Sequence, residues 1–169
     1  MILSRVVNIR PSFDEYFMNI AFDVSLRSDD PDIQHGAVIV NNNNYIIGTG
    51  YNATIKGSDK EKIPYNIRDE KRLWMIHAEE NAILNSNINP NNIGGAKLYV
   101  TAKPCVNCLQ RIINFGITNI YYVNRLGSIT ENEKTEKMRN DLIEMSGISM
   151  TEIDINAIIA LKNSIQITI

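Results

Sequence analysis

Residues 98–123, LYVTAKPCVNCLQRIINFGITNIYYV, change their hydrophobic period twice. Leu98 to Thr101 is a short apolar run suited to a buried strand. Pro104 opens a helix with Leu109, Ile112, Ile113 and Phe115 on its apolar face, and Gly116 closes it. Ile120 to Val123 is again a strand. Strand, crossover helix and strand in that order make a parallel pair in one sheet. Downstream, Thr130 with Glu133 forms a capping box for a helix running to about Met145, Gly147 caps it, and Ile148 to Ile153 alternates like a last strand. Upstream, a helix is predicted from about His77 to Asn85, with Glu79 and Glu80 in its first turn. The alternation after residue 74 predicts an α/β fold with parallel pairs.

Before that alternation the pattern differs. Gly36 to Val40 and Tyr45 to Thr49 read as two antiparallel strands joined by a turn at Asn41 to Asn44. Ser12 and Glu15 make a capping box for a first helix with Phe13, Phe17, Ile20, Ala21 and Val24 on one face, stopped by Asp29, Asp30 and Pro31. Gly50 to Leu73 is long and polar, and reads as a loop of functional length. Residues 154–169 fit a short helix or an association segment. No internal repeat breaks the chain. One domain over 1–169 is expected, with a core at about 12–153 and a tail at 154–169.

The 169 residues are 44% hydrophobic and 21% charged, the balance of a soluble globular protein. A net charge of −2 and a pI near 5.7 argue against a chain built to grip nucleic-acid phosphates. No apolar run is long enough for a membrane span, and the N-terminus lacks the apolar stretch of a secretory signal. The expected location is the cytoplasm, or the host cytoplasm for a viral protein. The 28 Ile and 22 Asn are read as codon bias from an AT-rich genome.

The scarce residues carry the chemistry. Only two Cys, Cys105 and Cys108, and two His, His35 and His77, occur. Cysteines at i and i+3 on a helix start share a face, and the helix N-terminus favours the thiolate. Two thiolates and one imidazole suit Zn²⁺ and leave a fourth tetrahedral position for water, which the metal acidifies to a pKa near ~7. His77, Cys105 and Cys108 are therefore candidate ligands, with one catalytic Zn²⁺ per chain. Glu79 beside the metal is the candidate proton shuttle. Plain helical spacing would favour Glu80 instead, since residues two apart face different sides; at the first residues of a helix the backbone is not yet helical, which allows Glu79. A closed structural site that adds His35 is an alternative, as is a metal-free redox pair. The simplest reading of His35 is an ordinary strand-edge or core histidine.

The whole pattern, H-x-E followed by P-C-x-x-C, is the general signature of zinc deaminases. Beyond it, the stretches at 15–21, 27–31, 36–40, 50–52, 77–83 and 98–101 make the chain similar to the deoxycytidylate (dCMP) deaminase family over roughly residues 12–123. A phage or viral member fits the short, AT-biased chain. The resemblance implies a three-layer α/β/α cytidine deaminase-like fold with a mixed central sheet of about five strands. It implies hydrolysis of dCMP to dUMP, activation by dCTP and inhibition by dTTP, each bound with Mg²⁺ at a separate site. It also implies a homo-oligomer, hexameric or trimer-based, with no nucleic-acid or membrane partner.

The same resemblance places zinc on His77, Cys105 and Cys108, the shuttle on Glu79, and a sugar-hydroxyl contact on Asn52. Ala78, Thr101 and Pro104 join the substrate-binding set, and Arg27, Ser28 and Arg125 are the candidate phosphate contacts. Tyr51, Asn52, Lys56, Gly57 and Lys60 are the effector candidates. Three departures stand out. Ala53 follows Asn52 and Ile55-Lys56-Gly57 replaces the usual turn; His35 stands where many members have Val; and no cysteines remain for the second zinc of many members. A deaminase that also accepts dCTP is the alternative reading, followed by a non-catalytic zinc module that senses nucleotides. A tRNA adenosine deaminase would need a basic surface, and a free-cytidine deaminase would need no phosphate contact.

Overall fold

The computed structural model describes residues 10–89, 93–124 and 132–164. In chain order these form α1 (Phe13–Ser25), β1 (Gly36–Val40), β2 (Ile46–Tyr51), β3 (Ala53–Thr54), a 3-10 turn (Lys60–Lys62), α2 (Arg68–Trp74), β4 (Met75–Ile76) and α3 (Ala78–Leu84). They continue with β5 (Lys97–Val100), α4 (Val106–Phe115), β6 (Asn119–Tyr122), α5 (Glu133–Ser146), β7 (Ser149–Glu152) and α6 (Ile155–Ser164).

Five strands make one mixed sheet in the order β2-β1-β5-β6-β7. β1 pairs antiparallel with both β2 and β5, whereas β5, β6 and β7 run parallel. Every residue of β1 is buried, because helices cover both faces of the sheet. Its side chains alternate: Ala37 and Ile39 pack with Ala78 and Ala82 of α3 and Leu109 and Ile112 of α4. Val38 and Val40 pack on the other side with Phe17, Met18 and Ala21 of α1 and Ile158 of α6. Each fully buried side chain of this size contributes about 2 kcal/mol, so neither cluster is dispensable. The result is three layers, with α1 and α6 on one face and α3, α4 and α5 on the other.

The capping box of α1 forms as its sequence directs: Ser12 Oγ accepts from the Glu15 amide at 3.2 Å, and Glu15 Oε2 accepts from the Ser12 amide at 2.7 Å. Gly116 ends α4 in the left-handed region at φ +94°, where a Cβ would be strained. α4 starts at Val106 rather than Pro104, because Cys105 is an extended N-cap. α5 is capped by Asn132, whose side chain accepts from the Thr135 amide; Thr130 lies outside the described residues. The segment after residue 153, whose sequence left two readings open, is a helix to residue 164.

The loop expected at Gly50 to Leu73 needs correction. It holds the end of β2, then β3, the 3-10 turn and nearly all of α2. The apolar period of α2 is missing because an ion pair anchors the helix: Lys71 is buried, while Leu73 is 85% exposed. No helix among the described residues is long and apolar enough to cross a membrane.

Candidate active site

The site begins where α3 meets the sheet. A Cβ on Gly50 of β2 would run into the backbone of Ala78 and Ala82, so the missing side chain lets α3 lie directly on the strand. Asn81 fixes the rotation of α3 by donating from Nδ2 to the Tyr51 carbonyl at 2.8 Å. His77 is the N-cap, with extended backbone at φ −71° and ψ 156°. That geometry resolves the spacing problem, since His77 precedes the helical phase and Glu79 is free to converge with it. Glu79 is 6% exposed and lines the cavity below. Glu80 points elsewhere, with its carboxylate 3.2 Å from Arg111.

α4 supplies the other half. Cys105 is its N-cap and Cys108 sits in its first turn, and Leu109 and Ile112, both fully buried, lock the helix against the sheet. The Sγ atoms of Cys105 and Cys108 lie 3.6 Å and 3.3 Å from His77 Nδ1. The ligand atoms of all three residues fall within 4.8 Å of one another. Zn–S bonds of about 2.3 Å and a Zn–N bond of about 2.05 Å in a tetrahedron set S···N at about 3.6 Å, so these residues fit zinc. His35 is not in this group, so the described residues supply no fourth ligand that would close it.

The electrostatics suit a metal. A hydrogen bond from Cys108, outweighing burial and helped by His77, draws the Cys105 thiol down to about 4. That contact and burial push Cys108 up, so one thiolate is stabilised by the other thiol and the imidazole. The Cys105 contact raises His77 against the opposing effect of burial, and the Glu79 charge adds to the rise. Desolvation raises Glu79 and favours its protonated form.

A cavity of about 290 Å³ opens beside this group. His77, Ala78, Glu79 and Cys105 line it with Asn52, as do five cations: Arg68, Lys71, Arg72, Lys103 and Arg139. The Asn52 amide is held at both ends, Oδ1 accepting from the His35 amide and Nδ2 donating to the Ile33 carbonyl, each at 2.7 Å. These two bonds leave one Nδ2 hydrogen over. His35 is itself part of the wall, with Nδ1 3.4 Å from Thr101 Oγ1. It sits directly before β1, the strand-edge place its sequence position suggested.

Other expected residues lie elsewhere. Ser28 is consumed locally, donating to the Asn52 carbonyl at 2.7 Å and accepting from the Asp30 amide. Arg27 is exposed beyond the end of α1 and is not part of the cavity wall. Thr101 is fully buried behind the wall, where its hydroxyl accepts from the Gly36 amide, and the Pro104 carbonyl accepts from Arg139. Arg125 lies outside the described residues. Tyr51, Lys56, Gly57 and Lys60 are not in the lining, and Lys60 pairs with Asp29 at 3.1 Å.

Sequence reasoning missed the cations as cavity residues. Three are already committed: Lys71 bridges Asp30 at 2.9 Å and Asp32 at 2.8 Å, while Lys103 and Arg139 share Glu136. Among the described residues, Arg72 pairs only with the exposed Asp69, at 4.0 Å, and Arg68 makes no ion pair. The signal available in the sequence was Arg68 and Arg72 at i and i+4, one side of a helical turn.

Comparison with known proteins adds the following. The family model for the cytidine and deoxycytidylate deaminase zinc-binding region matches residues 11–124. The deoxycytidylate deaminase of Homo sapiens is 39% identical over 115 residues, covering 65% of this chain and 64% of that one. The chain thus spans just under two thirds of that relative's length. The deoxycytidylate deaminase of Mus musculus is 36% identical over 140 residues, covering 80% of this chain and 76% of its own. Among solved structures, the dCMP deaminase of cyanophage S-TIM5 in complex with dCMP and dUMP is 26% identical with a TM-score of 0.66, covering 86% of this chain and 99% of that one.

Proposed function

Because this chain belongs to the cytidine and deoxycytidylate deaminase family, we propose that it hydrolyses dCMP to dUMP and ammonia. The observation that carries this reading is one cavity lined by His77 and Cys105 of the ligand trio, which Cys108 completes beside it, together with the buried Glu79 and the arginines of α2. His77, Cys105 and Cys108 would hold a zinc ion, which would supply an acidified water as nucleophile at neutral pH. The attack falls on C4 of cytosine, the carbon that carries the amino group. Glu79 takes one proton of the attacking water and passes it to the ring nitrogen N3, then moves the remaining proton of the new C4 hydroxyl to the departing amine. The C4–N bond breaks, ammonia leaves, and C4 keeps the oxygen as the carbonyl of dUMP.

Asn52 positions the sugar through its remaining Nδ2 hydrogen. Arg68 and Arg72 read the 5′-phosphate by charge-assisted hydrogen bonds, since the other three cavity cations are held by acidic partners within 3.1 Å, against 4.0 Å for Arg72 and Asp69. We assign the finer properties by resemblance: a homo-oligomer in the cytoplasm, activated by dCTP and inhibited by dTTP with Mg²⁺. An effector held by Tyr51, Lys56, Gly57 and Lys60 would sit apart from dCMP, because these residues are not in the cavity wall. In that case dTTP competes with dCTP but not with dCMP.

The experiment is ammonia release by zinc-loaded protein from dCMP, dCTP, CMP, cytidine and adenosine, each with and without dCTP as activator. Release from dCMP above the others supports the reading. Zinc bound with no substrate deaminated would leave a sensing module. Equal release from dCTP would make the enzyme bifunctional.

A further inference from the structure

Arg139 is the bulkiest of the fully buried side chains, at 2% exposure. A buried guanidinium is costly unless its donors are spent on fixed partners. Here Nη1 lies 2.9 Å from Glu136 Oε2, one turn back on α5, and Nη2 donates to the Pro104 carbonyl at 3.1 Å. Glu136 also accepts from Lys103 Nζ through Oε1, at 3.1 Å. α5 therefore grips residues 103 and 104, immediately before the ligand Cys105. α5 also lies beyond residue 124, where the family match ends.

The chemistry of Pro104 makes this grip consequential. Proline has no N–H, and its ring fixes φ, so the remaining backbone freedom is ψ. Turning ψ swings the Pro104 carbonyl together with the peptide plane that enters Cys105. A hydrogen bond on that carbonyl holds the plane, and with it the direction of the Cα–Cβ bond of Cys105. Cys105 has no side-chain cap bond to do this for itself.

We propose that Arg139, braced by Glu136, is a positioning residue of the metal site: it fixes the Pro104–Cys105 peptide so that the Cys105 sulfur points at His77 and Cys108. The inference rests on the zinc reading of that group. Outer partners of metal ligands typically change metal affinity by about 10–100-fold.

The test uses the full chain loaded with zinc, with Arg139→Met, Arg139→Lys and Glu136→Gln. Competition with a chelator gives zinc affinity, circular dichroism reports folding, and Co²⁺ substitution reports the sulfur–metal absorption bands. Arg139→Met is expected to weaken zinc by about 10–100-fold and to shift the Co²⁺ spectrum. Arg139→Lys keeps the charge but loses the planar fork, so it falls between wild type and Arg139→Met. Glu136→Gln costs least, because it removes only the charge of the ion pair and leaves the Arg139 bond to the Pro104 carbonyl in place. Should Arg139→Met not fold, the other two variants decide. Unchanged zinc affinity and Co²⁺ bands in every folded variant would overturn the proposal, and a rise in KM for dCMP alone would make Arg139 a substrate contact instead. A wild-type chain that holds no zinc would remove the metal site and this inference together.

Discussion

At the metal corner of the cavity, two helix starts bring three ligand atoms within 4.8 Å, on backbone locked by Gly50, Asn81 and the buried face of α4. Along the charged wall, Arg68 and Arg72 come from α2, Lys103 from the loop after β5, and Arg139 from α5. The first region is assembled by local rules: an N-cap followed by a helical turn fixes where residues i and i+3 point. The second depends on three distant segments arriving together. On the proposed function, reactivity is encoded at short range and substrate preference at long range.

Loss of a ligand should give the largest effect and confine it to the metal corner. Cys105→Ala is expected to lose both zinc and measurable activity, whereas His35→Ala and Arg68→Ala keep full zinc by metal analysis. Zinc loss in His35→Ala as complete as in Cys105→Ala would put His35 in the coordination sphere. Next in size, Glu79→Gln should lower kcat by about 10²–10⁴ while retaining zinc and nucleotide binding. Glu80→Gln should stay near wild type, because Glu80 faces Arg111 at a half-exposed pair. The reverse ranking would show that helical spacing, not the extended N-cap, sets the geometry.

A smaller effect, on stability, sharpens the contrast from the charged side. Lys71 and Asp30 are 4% and 6% exposed, and Lys71→Met leaves a buried carboxylate without its cation. About 3 kcal/mol should be lost in denaturant unfolding at neutral pH. Burial pushes the Asp30 carboxyl up, but Lys71 and the Asp32 and Ile33 amides outweigh it and hold it below 3.8. A lowered folded value means stability that is present above 3.8 and lost as pH falls through the folded value. Wild type should therefore lose stability steeply below pH 3.8, and Lys71→Met should show a shallower acid slope. Equal acid slopes in the two proteins would show that Lys71 does not hold that carboxylate.

What the sequence revealed follows the same division. The period changes at residues 98–123, the capping box at Ser12 and the glycine stop at Gly116 are local signals, and all correspond to elements of the fold. The ligand trio was legible because Cys and His are rare and each sits at a helix start. α2 was not legible, since an ion pair to a loop 39 to 41 residues earlier replaces its apolar face. Ser28 misled for a related reason: a hydroxyl beside a substrate motif is indistinguishable in sequence from one that braces the loop under Asn52. Arg139 gave no signal either, because its partner is the carbonyl of Pro104, 35 residues away.

The division of labour is tested most directly by kcat/KM for dCMP and for deoxycytidine, in wild type and in the Arg68→Ala/Arg72→Ala double variant. Charged hydrogen bonds are worth about 1.5–3 kcal/mol each, so the double variant should lose at least about 10-fold in preference for dCMP. The loss is expected in KM, with zinc content and deoxycytidine turnover near wild type. A double variant that keeps the full preference for dCMP, or loses both substrates equally, would contradict the account.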